Sequence, residues 1–125
     1  MRHSAVLTAL LALLFVGSGS ASAIGGKMTW FDDTGYGACG TRIDAGSQNL
    51  VAVPKSWFSN PNNPNNDPVC RKSVRVTYKG KSVTVPVRDM CPSCDRAHVD
   101  LSKPAFRSLA NLDLGVVGVT WEFVG

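Results

Sequence analysis

The stretch Val83–Leu101 reads V-T-V-P-V-R-D-M-C-P-S-C-D-R-A-H-V-D-L. Val83, Val85 and Val87 alternate with Thr84, Pro86 and Arg88, the two-residue period of a half-buried strand. That strand runs into Asp89 and a tight loop carrying Cys91 and Cys94. The chain becomes extended again over His98-Val99-Asp100-Leu101. Two carboxylates, Asp89 and Asp100, therefore stand at the two ends of one short cysteine-bearing loop.

Working outward, Ser73–Tyr78 alternates in the same way, and Lys79-Gly80-Lys81 predicts a hairpin turn between the two strands. Downstream, Ser102 is an N-cap and Pro104 falls in the first turn of a helix running to about Ala110. Phe106, Leu109 and Ala110 have the spacing of its core-facing stripe. Asn111–Gly115 ends the helix, and Val116–Val124 reads as a last strand. Nearer the start, Gly26–Phe31 reads as a strand with Met28 and Trp30 on one face, Thr29 and Phe31 on the other. Asp32–Gly40 is an ordered loop pinned by Cys39. Leu50–Val53 is a buried strand closed by Pro54, and Lys55–Phe58 makes one helical turn that presents Trp57 and Phe58. Asn60–Pro68, with three prolines and five asparagines, reads as an irregular surface loop restrained by Cys70. Six short strands with one short helix before the last predict a small, mostly β domain closed into a barrel.

The chain has 125 residues, enough for one domain. Arg2 and His3, the apolar run Ala5–Val16 interrupted only by Thr8, and the small-residue tail ending Ala21-Ser22-Ala23 have the form of a signal peptide cleaved after Ala23. The expected division is a leader over 1–23 and a barrel domain over 24–125. The apolar run is shorter than the roughly 20 residues of a membrane span. The expected product is exported, extracellular, soluble and monomeric. Its net charge of +4, or +3 without Arg2, is mild and scattered, which argues against a nucleic-acid partner.

Four cysteines, Cys39, Cys70, Cys91 and Cys94, in a small exported domain argue for disulfides. Four allow three pairings, and the sequence by itself selects none. Cys91-x-x-Cys94 with His98 nearby is one knuckle where structural zinc needs two. A redox C-x-x-C normally opens a helix, whereas this one ends a strand. A local disulfide is the better reading, with no metal and no cofactor. His3 leaves with the leader, so the histidines supply no nucleophile set of papain or trypsin type. No catalytic residue is assigned.

The order of these pieces resembles the RlpA-like double-psi β-barrel superfamily, which includes expansin first domains, barwin and family 45 endoglucanases. The matching residues are Gly26–Phe31, Gly37-Ala38-Cys39-Gly40, Val74–Val87, Asp89-Met90-Cys91-Pro92, Asp100-Leu101-Ser102 with Ala105-Phe106, and Val119-Thr120-Trp121. Within the superfamily the chain is similar to a group of small secreted actinobacterial papain inhibitors, also described as cysteine/serine endopeptidase inhibitors. That similarity rests on W-F-D-D-T-G-Y-G-A-C-G-T at Trp30–Thr41, the Asn/Pro loop, C-P-S-C at Cys91–Cys94 and L-D-L-G-V-V at Leu112–Val117.

The resemblance implies a six-stranded double-psi β-barrel with Cys39 paired to Cys70 and Cys91 to Cys94. It implies a non-enzymatic inhibitor of papain-like cysteine peptidases, and of some subtilisin- or trypsin-like serine peptidases. The contact would be an aromatic or aliphatic anchor, from Ile24 and Gly25 at one end or from Trp57 and Phe58 in the loop reaching Pro68. The alternative it implies is an expansin-like module for wall polysaccharide, with Thr29, Asp89 and Asp100 lining a groove. A lytic transglycosylase-like enzyme acting through Asp100 is the remoter reading. The expansin groove tyrosine is replaced by Cys91, and the second carboxylate of the endoglucanases is not evident. The plainer reading makes Asp89 and Asp100 structural, hydrogen-bonded to backbone amides in the crossed loops.

Overall fold

A computed structural model describes residues 22–125. Apart from Ser22 and Ala23, the expected leader lies outside the described residues. The described residues form eight strands: β1 Ile24–Phe31, β2 Thr34–Tyr36, β3 Arg42–Asp44, β4 Val51–Pro54, β5 Ser73–Tyr78, β6 Lys81–Cys91, β7 His98–Ser102 and β8 Val117–Val124. Among the described residues a single short α-helix, α1, spans Lys103–Arg107. Six strands close a barrel in the order β1-β7-β4-β6-β5-β8, while β2 and β3 make a separate two-stranded hairpin. The β1–β7 and β4–β6 pairs are parallel and the other four junctions antiparallel. This is a disulfide-bonded, six-stranded double-psi β-barrel.

The barrel is filled by alternate strand residues, as a period of two requires. Val74 and Val76 of β5, Val85 and Val87 of β6, Val99 and Leu101 of β7, and Val117, Val119 and Trp121 of β8 point inward with Met28. Phe106 of α1 joins the same core and is fully buried. β5 and β6 pair from Ser73↔Pro86 to Tyr78↔Lys81, across a turn in which Lys79 and Gly80 both have positive φ, the conformation of a tight two-residue hairpin.

Four departures from the sequence reading have physical causes. β6 continues beyond Val87 to Cys91 because a bulge resets its alternation. The Asp32–Gly40 loop contains β2, whose partner β3 is held by a small second core of Ile43, Ala45 and Leu50 with Phe31 against it. The Asn60–Pro68 segment is not irregular throughout: 3-10 turns form at Pro64–Asn66 and Pro68–Arg71. Asp67, only 3% exposed, clasps the segment by accepting from Asn60 N at 2.7 Å and Val69 N at 3.1 Å. The helix stops at Arg107, and Ser102 makes no side-chain cap; its hydroxyl accepts from Leu50 N at 3.0 Å.

The disulfides are Cys39–Cys70, 31 residues apart, and Cys91–Cys94, three apart. Loop-closure entropy scales with the logarithm of loop length, which assigns about 4 kcal/mol to the first and about 2 kcal/mol to the second. Replacing Cys39 and Cys70 by serine is therefore expected to cost about twice the unfolding free energy lost on replacing Cys91 and Cys94. Urea denaturation of the two double variants measures it, and equal losses would show that loop length does not set the stabilisation.

Candidate functional site

On one outer side of the barrel, four neighbouring strands place Thr29, Asp100, Ala52 and Asp89 in a row. Thr29 of β1 lies opposite Asp100 of β7, and Ala52 of β4 lies opposite both Asp100 and, on β6, Asp89. With strands about 4.8 Å apart, the backbones of the two aspartates are about 10 Å from each other. The sequence placed these three polar residues in one groove through the resemblance, and the topology brings them into one row.

Asp89 reaches this face through the bulge. Val51 pairs with Val87 and the next residue, Ala52, with Asp89, so Arg88 is an extra residue on β6. Strict alternation from Val83, Val85 and Val87 would turn Asp89 into the barrel; the extra residue turns it out and lets Met90 pack against the core instead. Asp89 Oδ1 accepts from Ala38 N and from Met90 N, both at 2.9 Å. Arg88 O accepts from Cys39 N at 3.3 Å. A Cβ on Gly37 would stand 2.4 Å from Arg88 O, so the loop can cross β6 this closely only with glycine there.

Asp100 is placed differently. Its Oδ1 accepts from Thr29 Oγ1 at 2.8 Å, and Thr29 Oγ1 lies 2.7 Å from His98 Nε2. A hydroxyl has one proton; with it given to Asp100, Thr29 accepts from His98, which puts the ring proton on Nε2. The result is a chain, His98 Nε2–H to Thr29 Oγ1–H to Asp100. His98 was weighed in the sequence only as a metal ligand. The signal that could have found it is the i, i+2 spacing to Asp100, which sets both on the outer face of β7.

Burial pushes the Asp100 carboxyl above the usual aspartate value; the Thr29 hydrogen bond opposes this, and the charges of Asp33 and Asp89 add to it. Burial likewise holds the His98 imidazole below its ordinary value, aided by Lys27 and opposed by Asp95. For Asp100 the folded protein binds its proton more tightly than the unfolded chain. Its ionisation therefore costs stability as pH rises through the folded pKa. Asp100 thus accepts from a side-chain hydroxyl, whereas Asp89 accepts from two backbone amides, one of which ties the Cys39 loop to β6.

The expected contact residues are dispersed. Phe58 is 6% exposed and belongs to the core; the turn that follows Pro54 rotates it inward, so it is not presented. Trp57 is half-buried, its Nε1 donates to Arg96 O at 2.8 Å, and the Arg96 guanidinium lies 3.6 Å over its ring. Its ring also packs edge-on against Trp121 and Phe123. Ile24 and Gly25 are paired along β8 with Trp121 and Thr120.

A family model described as lytic transglycolase, of the double-psi barrel type, matches residues 23–121. The chain belongs to this double-psi β-barrel family. Among its relatives is the papain inhibitor of Streptomyces mobaraensis, 64% identical over 101 residues, an alignment covering 79% of this chain and 70% of that protein. The solved Streptomyces papain inhibitor superposes with a TM-score of 0.81 at 61% identity, covering 84% of this chain and 96% of that one. An expansin of Clavibacter michiganensis, solved in complex with cellohexaose, superposes with a TM-score of 0.68 at 26% identity; the match covers 82% of this chain and 50% of that one.

Asp100→Asn keeps an acceptor for Thr29 and removes the buried charge. It is expected to raise the melting temperature at pH 7, with the gain fading as pH falls through the folded pKa of Asp100. Thermal melts from pH 7 to 3 check this, and destabilisation at pH 7 would show that the charge supports the fold. Asp89→Ala, by contrast, leaves two amides without their acceptor and is expected to cost about 2 kcal/mol or more.

Proposed function

We propose that this protein is an exported, monomeric inhibitor of papain-like cysteine peptidases, acting by reversible steric blockade without chemistry of its own. The observation that carries this reading is the 64% identity to a papain inhibitor, along a fold that superposes over nearly the whole of a solved one. The arrangement of the carboxylates agrees with it. Asp89 Oδ1 accepts from two backbone amides and Asp100 Oδ1 from a threonine hydroxyl, so each carboxylate is engaged within the fold. Some subtilisin- or trypsin-like serine peptidases fall within the same proposal, because a steric block depends on the shape of the cleft and not on its nucleophile.

A second reading, wall-polysaccharide binding, is favoured by one observation. Thr29, Asp100 and Asp89 form a polar row in a fold shared with an expansin solved with cellohexaose, and the row keeps a carboxylate whose charge is unfavourable to the fold. Titration of the protein over residues 24–125 against papain, subtilisin and trypsin is expected to give stoichiometric, reversible loss of papain activity. The same preparation is expected to release no reducing sugar from cellulose or peptidoglycan. Sedimentation with insoluble glycan and no effect on any peptidase would replace the first reading by the second.

A further inference from the structure

The large hydrophobic side chains most open to solvent among the described residues are Tyr36, Leu114 and Val116. Tyr36 carries the Arg42 guanidinium over its ring. Leu114 and Val116, 57% and 59% exposed, have no such cover and flank one residue, Gly115. The loop that presents them is tightly held. Asn111 Oδ1 accepts from Asp113 N at 2.9 Å, and Asn111 O accepts from Leu114 N at 3.1 Å. Leu112 O accepts from Gly115 N at 3.1 Å and from Trp30 Nε1 at 3.0 Å, which fixes the loop to β1. Val116 N then donates to Leu114 O at 2.7 Å across Gly115, whose φ of 69° and ψ of −49° make a γ-turn of the hand that L-residues avoid and glycine adopts freely.

We infer that this γ-turn is the inhibitory wedge, with Leu114 and Val116 entering the apolar subsite of a papain-like peptidase cleft. The inference rests on the inhibitor reading above and gives it a contact surface. A convex, rigid aliphatic pair suits a concave apolar pocket, and because the loop is already ordered little conformational freedom is lost on binding. The backbone folds back at Gly115, so it does not lie extended across the catalytic nucleophile, and the wedge blocks without being cut. Beside it, Lys81 and Arg107 line an open groove with Leu112 and the single carboxylate of Asp113. The matching cleft therefore carries carboxylates at its rim, where complementary charge speeds association. The other anchors are less free: Ile24 is paired into the barrel, Phe58 is buried and Trp57 is held under Arg96.

The test compares inhibition constants against papain for the wild type, Leu114→Asp, Leu114→Ala/Val116→Ala, Arg107→Glu and Thr84→Arg. All alter exposed positions, and circular dichroism and melting temperature establish that each is folded. Both wedge variants are expected to weaken inhibition at least about thirtyfold, as truncating a central anchor does. Arg107→Glu is expected to slow association and flatten its salt dependence, while Thr84→Arg, on the exposed face of β6, leaves inhibition unchanged. Wedge variants that inhibit within twofold of a fully inhibitory wild type would overturn the inference and leave the inhibitor reading standing. Cleavage of the loop between Leu112 and Val117 by papain would also overturn it. A wild type that leaves papain active would overturn both.

Discussion

One extra residue in β6 governs much of what this barrel can display. The bulge at Arg88 releases that residue's carbonyl from the ladder, and Cys39 N–H takes it. It also turns Asp89 out of the core to receive Ala38 N–H. Glycine at position 37 allows the two backbones to approach this closely. Three local features, a bulge, a carboxylate and a glycine, thus secure the crossing of the Cys39 loop over the barrel, and Cys39–Cys70 ties the far side of that loop to the chain entering β5. A bulge in a parallel pair is uncommon, and here it reconciles a valine-lined interior with a charged residue two positions further on.

The parts of this structure legible in the sequence were those with an unbroken period. Val74 and Val76, Val83 to Val87, and Val99 with Leu101 announce strands that bury one face, and the resemblance supplied the order in which they close. What escaped was whatever depends on contacts between distant residues. The extension of β6 to Cys91 was hidden because the bulge breaks the alternation where the strand continues. β2 is three residues with a glycine at its centre, and its register is set by Ile43 and Leu50 and not by any pattern of its own. Asp67 looked like one more polar residue in an Asn/Pro loop, although it is the buried acceptor that gives the loop its shape. The grouping of Thr29, Asp89 and Asp100 came from the resemblance, while the hydrogen bond to His98 needed the β1–β7 register to be seen.

The two aspartates show why a shared location is not a shared role. Asp89 Oδ1 is met by two backbone N–H groups, whereas Asp100 is half enclosed, feels the charges of Asp33 and Asp89, and is met by the Thr29 hydroxyl. Natural chains tend to keep such unfavourable charge where something other than folding selects it. The aromatic cluster behind Trp57 has the opposite character. Trp57, Trp121 and Phe123 support one another edge to face, and the indoles of Trp57 and Trp121 hold the successive carbonyls of Arg96 and Ala97. That cluster braces the Cys91–Cys94 loop against the barrel wall.

The β2–β3 hairpin has a core of its own, only Ile43, Ala45 and Leu50 with Phe31 beneath, separate from the cluster that fills the barrel. Two cores of such unequal size imply two tiers of opening. Amide protons in the hairpin would exchange with solvent through a local detachment, at a lower free energy than those of β5 and β6, which await global unfolding. Such a detachment must first break the Ala38 and Cys39 amide bonds to β6, after which Cys39–Cys70 is the tether that limits how far the hairpin travels.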